Sequence, residues 1–61
     1  MKVGDLVKIK DGVHEDGMPV HRHAVIVEGI DAHRDYVIMF FGSQKRFRFN
    51  EYFIIPLQKV D

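Results

Sequence analysis

Asp35-Tyr36-Val37-Ile38-Met39-Phe40-Phe41-Gly42-Ser43-Gln44-Lys45-Arg46-Phe47-Arg48-Phe49 is the stretch that decides the fold class. β-Branched and aromatic residues crowd its first half, as they do on a pleated surface that is at least half buried. A Gly-Ser-Gln turn follows, and the second half alternates arginine with phenylalanine. Successive side chains of a strand point to opposite faces, so Phe47 and Phe49 share one face and Arg46 and Arg48 the other. Two strands joined by so short a turn form a hairpin. The first of the pair does not alternate. Residues 36–41 are apolar without a break, and a strand with one wet face would alternate. Both of its faces therefore require cover.

The same pattern continues on either side of the hairpin. Upstream, residues 22–30 place Ala24, Ile26, Glu28 and Ile30 on one parity and Val25 and Val27 on the other. Gly29 is the expected site of a bulge that resets the phase and turns Ile30 inward. Asp31-Ala32-His33-Arg34 then reads as a hairpin turn. In residues 3–10, Val7 and Ile9 face one way and Lys8 and Lys10 the other. Leu6 lies on the lysine side, so the start of this run is expected to be partly covered on both faces. Residues 11–21 hold Gly12, Gly17, Pro19 and the Glu15-Asp16 pair, and form a loop that is long for so small a chain. Downstream, Asn50 is a good cap for a single helical turn, Glu51-Tyr52-Phe53. Proline donates nothing to a ladder, so the strand at residues 54–60 is an edge or starts beside Pro56.

The expected architecture is therefore all-β: a small five-stranded barrel with one short 3-10 turn before the last strand, residues 1–61 forming a single domain. Its core is expected to contain Val7, Ile9, Ile26, Ile30, Val37 or Ile38, Phe47, Phe49, Ile55 and Leu57. A chain of 61 residues buries only about 60% of the surface its unfolded form exposes, so it is a marginal folder. It has no cysteine, which removes disulfides and zinc–thiolate sites. The longest apolar run is far shorter than the roughly 20 residues of a membrane span. Met1-Lys2-Val3-Gly4-Asp5 lacks the apolar stretch of a signal peptide. A cytoplasmic protein without membrane contact is the expectation.

The order of strand, long loop, three strands, helical turn and last strand resembles the SH3-like barrel over almost the whole chain. Val3-Gly4-Asp5-Leu6-Val7-Lys8-Ile9 with Gly12, followed by Ala24-Val25-Ile26-Val27-Glu28-Gly29-Ile30-Asp31, is similar to the opening of KOW-type domains. The later segments resemble Tudor-like barrels and small barrels encoded by bacteria and phages. The resemblance implies contacts with RNA or with other proteins. The chain departs from it at Ala24, where a KOW pattern has glycine, and in its acidic loop. It has no tryptophan, so the aromatic groove that reads proline-rich peptides is not implied. For a methyl-lysine cage the available aromatics are Tyr36, Phe41 and Tyr52.

Four features bear on function. Arg46 and Arg48 on one strand face, with Lys45 and Arg34 on neighbouring turns, suit a phosphate backbone. The same pattern suits a solvated strand whose arginine stems cover apolar surface, and nine Lys+Arg against nine Asp+Glu gives no overall basic pull. His21 and His23 share a face, and His14, Glu15 or Asp16 is the available third ligand. Surface histidines are the expected reading, with no metal and no cofactor. Catalysis is not expected: the chain has neither cysteine nor threonine, and its one serine, Ser43, lies in a turn without the strand-to-helix elbow of hydrolases. The last feature is the doubly apolar strand, which suits an interface and equally suits a bent strand of a small barrel, covered on both faces within one chain. Phe40 and Phe41 cannot both enter one small core, and the one left outside is a hook for a partner. Tyr36, Ile38, Phe40 and Phe41 are the expected partner interface. The chain is thus expected to be a non-enzymatic binding or accessory module that meets a protein partner or a second copy of itself. A KOW-like nucleic-acid-binding barrel using Arg34, Lys45, Arg46 and Arg48 is the alternative.

Overall fold

The computed structural model describes residues 1–57. Five antiparallel strands form one sheet: β1 (Leu6–Ile9), β2 (His23–Glu28), β3 (Asp35–Phe40), β4 (Arg46–Asn50) and β5 (Ile54–Pro56), in the order β4-β3-β2-β1-β5. A 3-10 turn, Glu51–Phe53, joins β4 to β5, and there is no α-helix among the described residues. The all-β class, the five strands and the turn before the last of them agree with the sequence reading. Residues 58–60 of the last expected strand lie outside the described residues.

The sheet is not closed. No ladder joins β4 to β5 among the described residues, so the structure shows the five strands of the expected barrel without its closure. Both edges nevertheless feed one core. Phe47 and Phe49 from β4 and Ile54 from β5 pack in the same cluster as Val7, Ile9, Ala24, Ile26, Tyr36, Ile38 and Phe40. Val13 and Met18 of the long loop pack against this cluster, so the loop helps to cover the core's open side. Arg22 holds the loop in place. Its Nη1 donates to the carbonyls of Lys10 at 3.1 Å and Val13 at 2.6 Å.

Three core assignments are corrected. Ile30 is 45% exposed because the bulge falls earlier than Gly29. Ile26 pairs with Ile38 and Glu28 with Val37, so the extra residue is Val27. An extra residue resets the face that following side chains use, and it carries Glu28 out of the inward parity of Ala24 and Ile26 to an exposed position. Without it, a carboxylate would enter an all-apolar core. The strand ends at Glu28 and leaves Ile30 beyond the sheet. Ile55 is 40% exposed, and Ile54 takes its place in the core. The reason is register: Ile54 lies opposite the buried Ile9, so Ile55 must point outward. Leu57, of the same parity, is only half buried. Leu6 is 49% exposed, so the outer face at the start of β1 is about half covered. Val37 and Ile38 are both buried, on opposite faces.

The two hairpin turns are built by local chemistry. Ser43 N–H donates to Phe40 O at 3.1 Å, and Gly42 has φ +80°. That angle belongs to the third position of a type II turn, where glycine carries no steric cost. β3 consequently ends at Phe40 and leaves Phe41 in the turn. In the other turn Arg34 has φ +65°, the left-handed residue that follows a type I turn in three-residue hairpin loops. Asp31 Oδ1 accepts from His33 N–H at 2.8 Å and Asp35 N–H at 3.0 Å, which fixes this turn. Asn50 Nδ2 donates to His33 O at 3.0 Å, while Asn50 Oδ1 accepts from Tyr52 N–H at 3.0 Å. One side chain therefore ties the β2–β3 turn to the capped 3-10 turn.

Candidate functional site

The strand that lacked a wet side divides cleanly. Tyr36, Ile38 and Phe40 face the core and are 5%, 0% and 1% exposed. This corrects three of the four expected interface residues, which are spent on the interior. Only Phe41 is outside, at 45% exposure. Nor do Tyr36, Phe41 and Tyr52, the aromatics available for a cage, come together. Tyr36 is buried, with its hydroxyl donating to Met1 O at 3.3 Å. Phe41 lies five positions along from it on the opposite parity, about 17 Å away at roughly 3.4 Å per residue.

A different apolar surface appears on the sheet's outer face. Met39 lies opposite Val25, and Val25 opposite Leu6. Leu57 extends the row, its N–H donating to Leu6 O at 3.0 Å. The row crosses β3, β2 and β1 to the end of β5, about 14 Å over three strand spacings of roughly 4.8 Å. Beside it, Phe41 and Ile55 stand at the two ends of a parallel row whose middle is His23 and Lys8. The signal for this band was present in the sequence as the second parity of each strand: Leu6, Val25, Met39 and Ile55. It was legible only once register showed which parity was inside.

Arg46 and Arg48 face outward as expected, and each is ion-paired. Arg46 Nη1 lies 3.3 Å from Glu28 Oε2, and Arg48 Nη1 donates to Asp31 Oδ2. Arg34 Nε donates to Glu51 Oε1 at 2.8 Å, and Glu51 raises the guanidinium's pKa above its ordinary value. Lys45 Nζ donates to Asp16 O at 3.3 Å and sits 5.1 Å from the Phe47 ring centre. The four expected cations thus surround β4, but three of them are matched by carboxylates. Val37, though on the outer face, is buried between Glu28 and Arg48 in cross-strand register. The paired side chains flank it, as arginine stems commonly flank apolar surface.

Asp31 is held below the usual carboxylate range. The main cause is the Asp35 N–H donated to it, with partial removal from water opposing, and with the His33 N–H and the Arg48 guanidinium adding to the lowering. Its role is to brace a turn. The histidines do not form a ligand set. His21 and His23 stack with ring centres 6.5 Å apart, His21 Nε2 lies 2.9 Å from Phe41 O, and no three His, Cys, Asp or Glu side chains converge on a metal position among the described residues. No polar or charged residue is buried among the described residues.

Two further features were not anticipated. Tyr52 and Phe53 are exposed on the 3-10 turn and pack edge to face, with Lys10 Nζ 3.6 Å from the Tyr52 ring centre. An open groove of about 620 Å³ runs beside β4, lined by His14, Glu15 and Asp16 of the long loop and by Lys45, Arg46, Phe47 and Arg48. No helix among the described residues is long and apolar enough to cross a membrane.

Compared with known proteins, the chain matches no family model, no curated protein and no solved structure.

Proposed function

We propose that this protein is a non-enzymatic binding or accessory module of SH3-like barrel type that works through protein contacts on the outer face of its sheet, a second copy of the chain being the first partner to test. Support for the barrel type comes from the strand order β4-β3-β2-β1-β5, the single core shared by both edge strands, and the 3-10 turn between β4 and β5. The observation that carries the function is the apolar band Met39–Val25–Leu6–Leu57, flanked by Phe41 and Ile55. Scattered exposed apolar residues need no explanation, but an apolar band continuous across several strands is a feature of contact surfaces. Against catalysis stands an interior whose one polar side-chain group among the described residues is the Tyr36 hydroxyl, engaged by Met1 O, so that no carboxylate, imidazole, amine or aliphatic hydroxyl is desolvated there.

Sedimentation equilibrium tests self-association. A dimeric mass at high micromolar concentration is expected, reverting to monomer in Leu6→Glu and Met39→Glu, which place charge on the outer face and leave the core intact. A strictly monomeric mass for the unaltered chain removes self-association from the reading.

The alternative, an RNA- or DNA-binding barrel, draws support from the exposure of the Arg34, Arg46 and Arg48 side chains, 68%, 61% and 56%. It is weakened by their pairing with Glu51, Glu28 and Asp31, since carboxylates offset the charge that phosphates would seek. Salt-dependent binding lost in Arg46→Ala/Arg48→Ala would favour it, and absence of binding at low salt would end it.

A further inference from the structure

The two edges of the sheet are not equivalent. In an antiparallel ladder, backbone groups point alternately to the two sides of a strand. Glu51 N–H donates to Arg34 O, and Asp35 lies opposite Asn50, so Phe47 and Phe49 direct their N–H and C=O groups to β3. The backbone groups of Arg46 and Arg48 therefore face away from the sheet, and no partner reaches them among the described residues. On β5, Leu57 N–H donates to Leu6 O, which by the same alternation leaves Ile54 and Pro56 facing the free edge. Ile54 N–H already donates to Glu51 O, and proline has no N–H. Among the described residues the β5 edge thus has no free donor, whereas the β4 edge retains both donors and acceptors.

The open groove follows the β4 edge. Phe47 points inward and Arg46 and Arg48 outward, yet all three line it. A space touched by both parities of one strand lies along its edge, where an additional strand would lie. Its far wall carries Glu15 and Asp16, and neither carboxylate has an ion-pair partner among the described residues. With Arg46 and Arg48 matched by Glu28 and Asp31, the two carboxylates share the groove with Lys45 and His14. A second copy of this chain fits poorly here: pairing β4 with its twin sets arginine opposite arginine when the two strands are centred on Phe47 or on Arg48, and like charges directly opposite destabilise a ladder.

We infer that the β4 edge is a peptide-binding site that accepts an extended segment by strand addition, with lysine or arginine at alternate positions reaching Glu15 and Asp16. Backbone hydrogen bonds to Arg46 and Arg48 supply the common part of the affinity, and the loop carboxylates supply the preference for basic side chains. This site is distinct from the outer face proposed above and stands or falls separately.

Amide hydrogen exchange followed by NMR tests it, with an alternating Thr-Lys heptapeptide as the probe. In the free protein the Arg46 and Arg48 amides should exchange rapidly while those of Phe47 and Phe49 are protected. Peptide should slow Arg46 and Arg48 about twofold when its concentration equals its Kd, with Kd expected near ~1 mM. The same peptide methylated on its backbone nitrogens should have no effect. Glu15→Lys/Asp16→Lys lies on an exposed loop wall, and should weaken the Thr-Lys peptide about fivefold while favouring a Thr-Glu peptide. Arg46 and Arg48 amides already protected in the free protein, no slowing by millimolar Thr-Lys peptide, or equal slowing by the methylated peptide would each overturn the inference.

Discussion

Replacing Phe40 with alanine separates two residues that sequence alone makes look alike. Phe40 is 1% exposed and packs edge to face on Phe47 with ring centres 5.3 Å apart. Burying an aromatic side chain removes roughly 150–250 Å² from water, worth about 4–6 kcal/mol at about 25 cal/mol per Å². Measured truncations of buried phenylalanine fall at about 3–5 kcal/mol, cavity included. At roughly 0.05–0.15 kcal/mol per residue, the whole chain is stable by about 3–9 kcal/mol, so Phe40→Ala should leave it largely or wholly unfolded. Phe41→Ala acts next door on a ring that is 45% exposed. It should cost less than about 2 kcal/mol, because much of that ring is wet in the folded state as well. Urea denaturation followed by far-UV circular dichroism gives both values. It should be run at low protein concentration, since self-association would add stability by mass action. Two variants within about 1 kcal/mol of each other, or Phe41→Ala the costlier, would refute the assignment of Phe40 to the core and Phe41 to the outside.

Two other perturbations test the loops. The lowered pKa of Asp31 means that its contribution to stability is complete above the ordinary aspartate value of about 3.9 and is lost as pH falls through the lower folded-state value. Asp31→Asn should therefore lower the thermal midpoint at neutral pH and flatten its fall below about pH 4; an unchanged acid profile would count against this role. Arg22→Ala removes a guanidinium that donates to the Lys10 and Val13 carbonyls, and should cost about 2 kcal/mol. Residues 11–18 should then become easier to cleave with protease, whereas equal cleavage in both proteins would show that Val13 and Met18 hold the loop unaided.

Alternation along the chain is enough to place Val7, Ile9, Ile26, Phe47 and Phe49 inside, and the Asn50 cap and the two hairpin turns are equally legible. Those features depend on neighbours within a few residues, where the period of a strand and the geometry of a turn act directly. The sequence reading fails where a side chain's face depends on a distant strand. It puts Ile55 inside, and pairing of β5 with β1 gives that place to Ile54 instead. It turns Ile30 inward, and a bulge at Val27 rather than at Gly29 leaves that residue out. The unbroken run of residues 36–41 signals a strand covered on both sides, but on the outer face only Val37 is buried, while Met39 is half-buried and Phe41 exposed. It does not reveal the cover: the core for Tyr36, Ile38 and Phe40, and the Glu28 and Arg48 side chains around Val37.

The sequence by itself determined the all-β class, the strand count, the 3-10 turn and the outward direction of the arginines, because each follows from local periodicity and turn chemistry. Tertiary structure alone decided that no ladder joins β4 to β5 among the described residues, that Arg46 and Arg48 are matched by Glu28 and Asp31, that Leu6, Val25 and Met39 form one surface, and that β4 rather than β5 keeps free backbone donors among those residues. These outcomes depend on register between strands distant in the chain, and a shift of one residue there exchanges every inward side chain for an outward one.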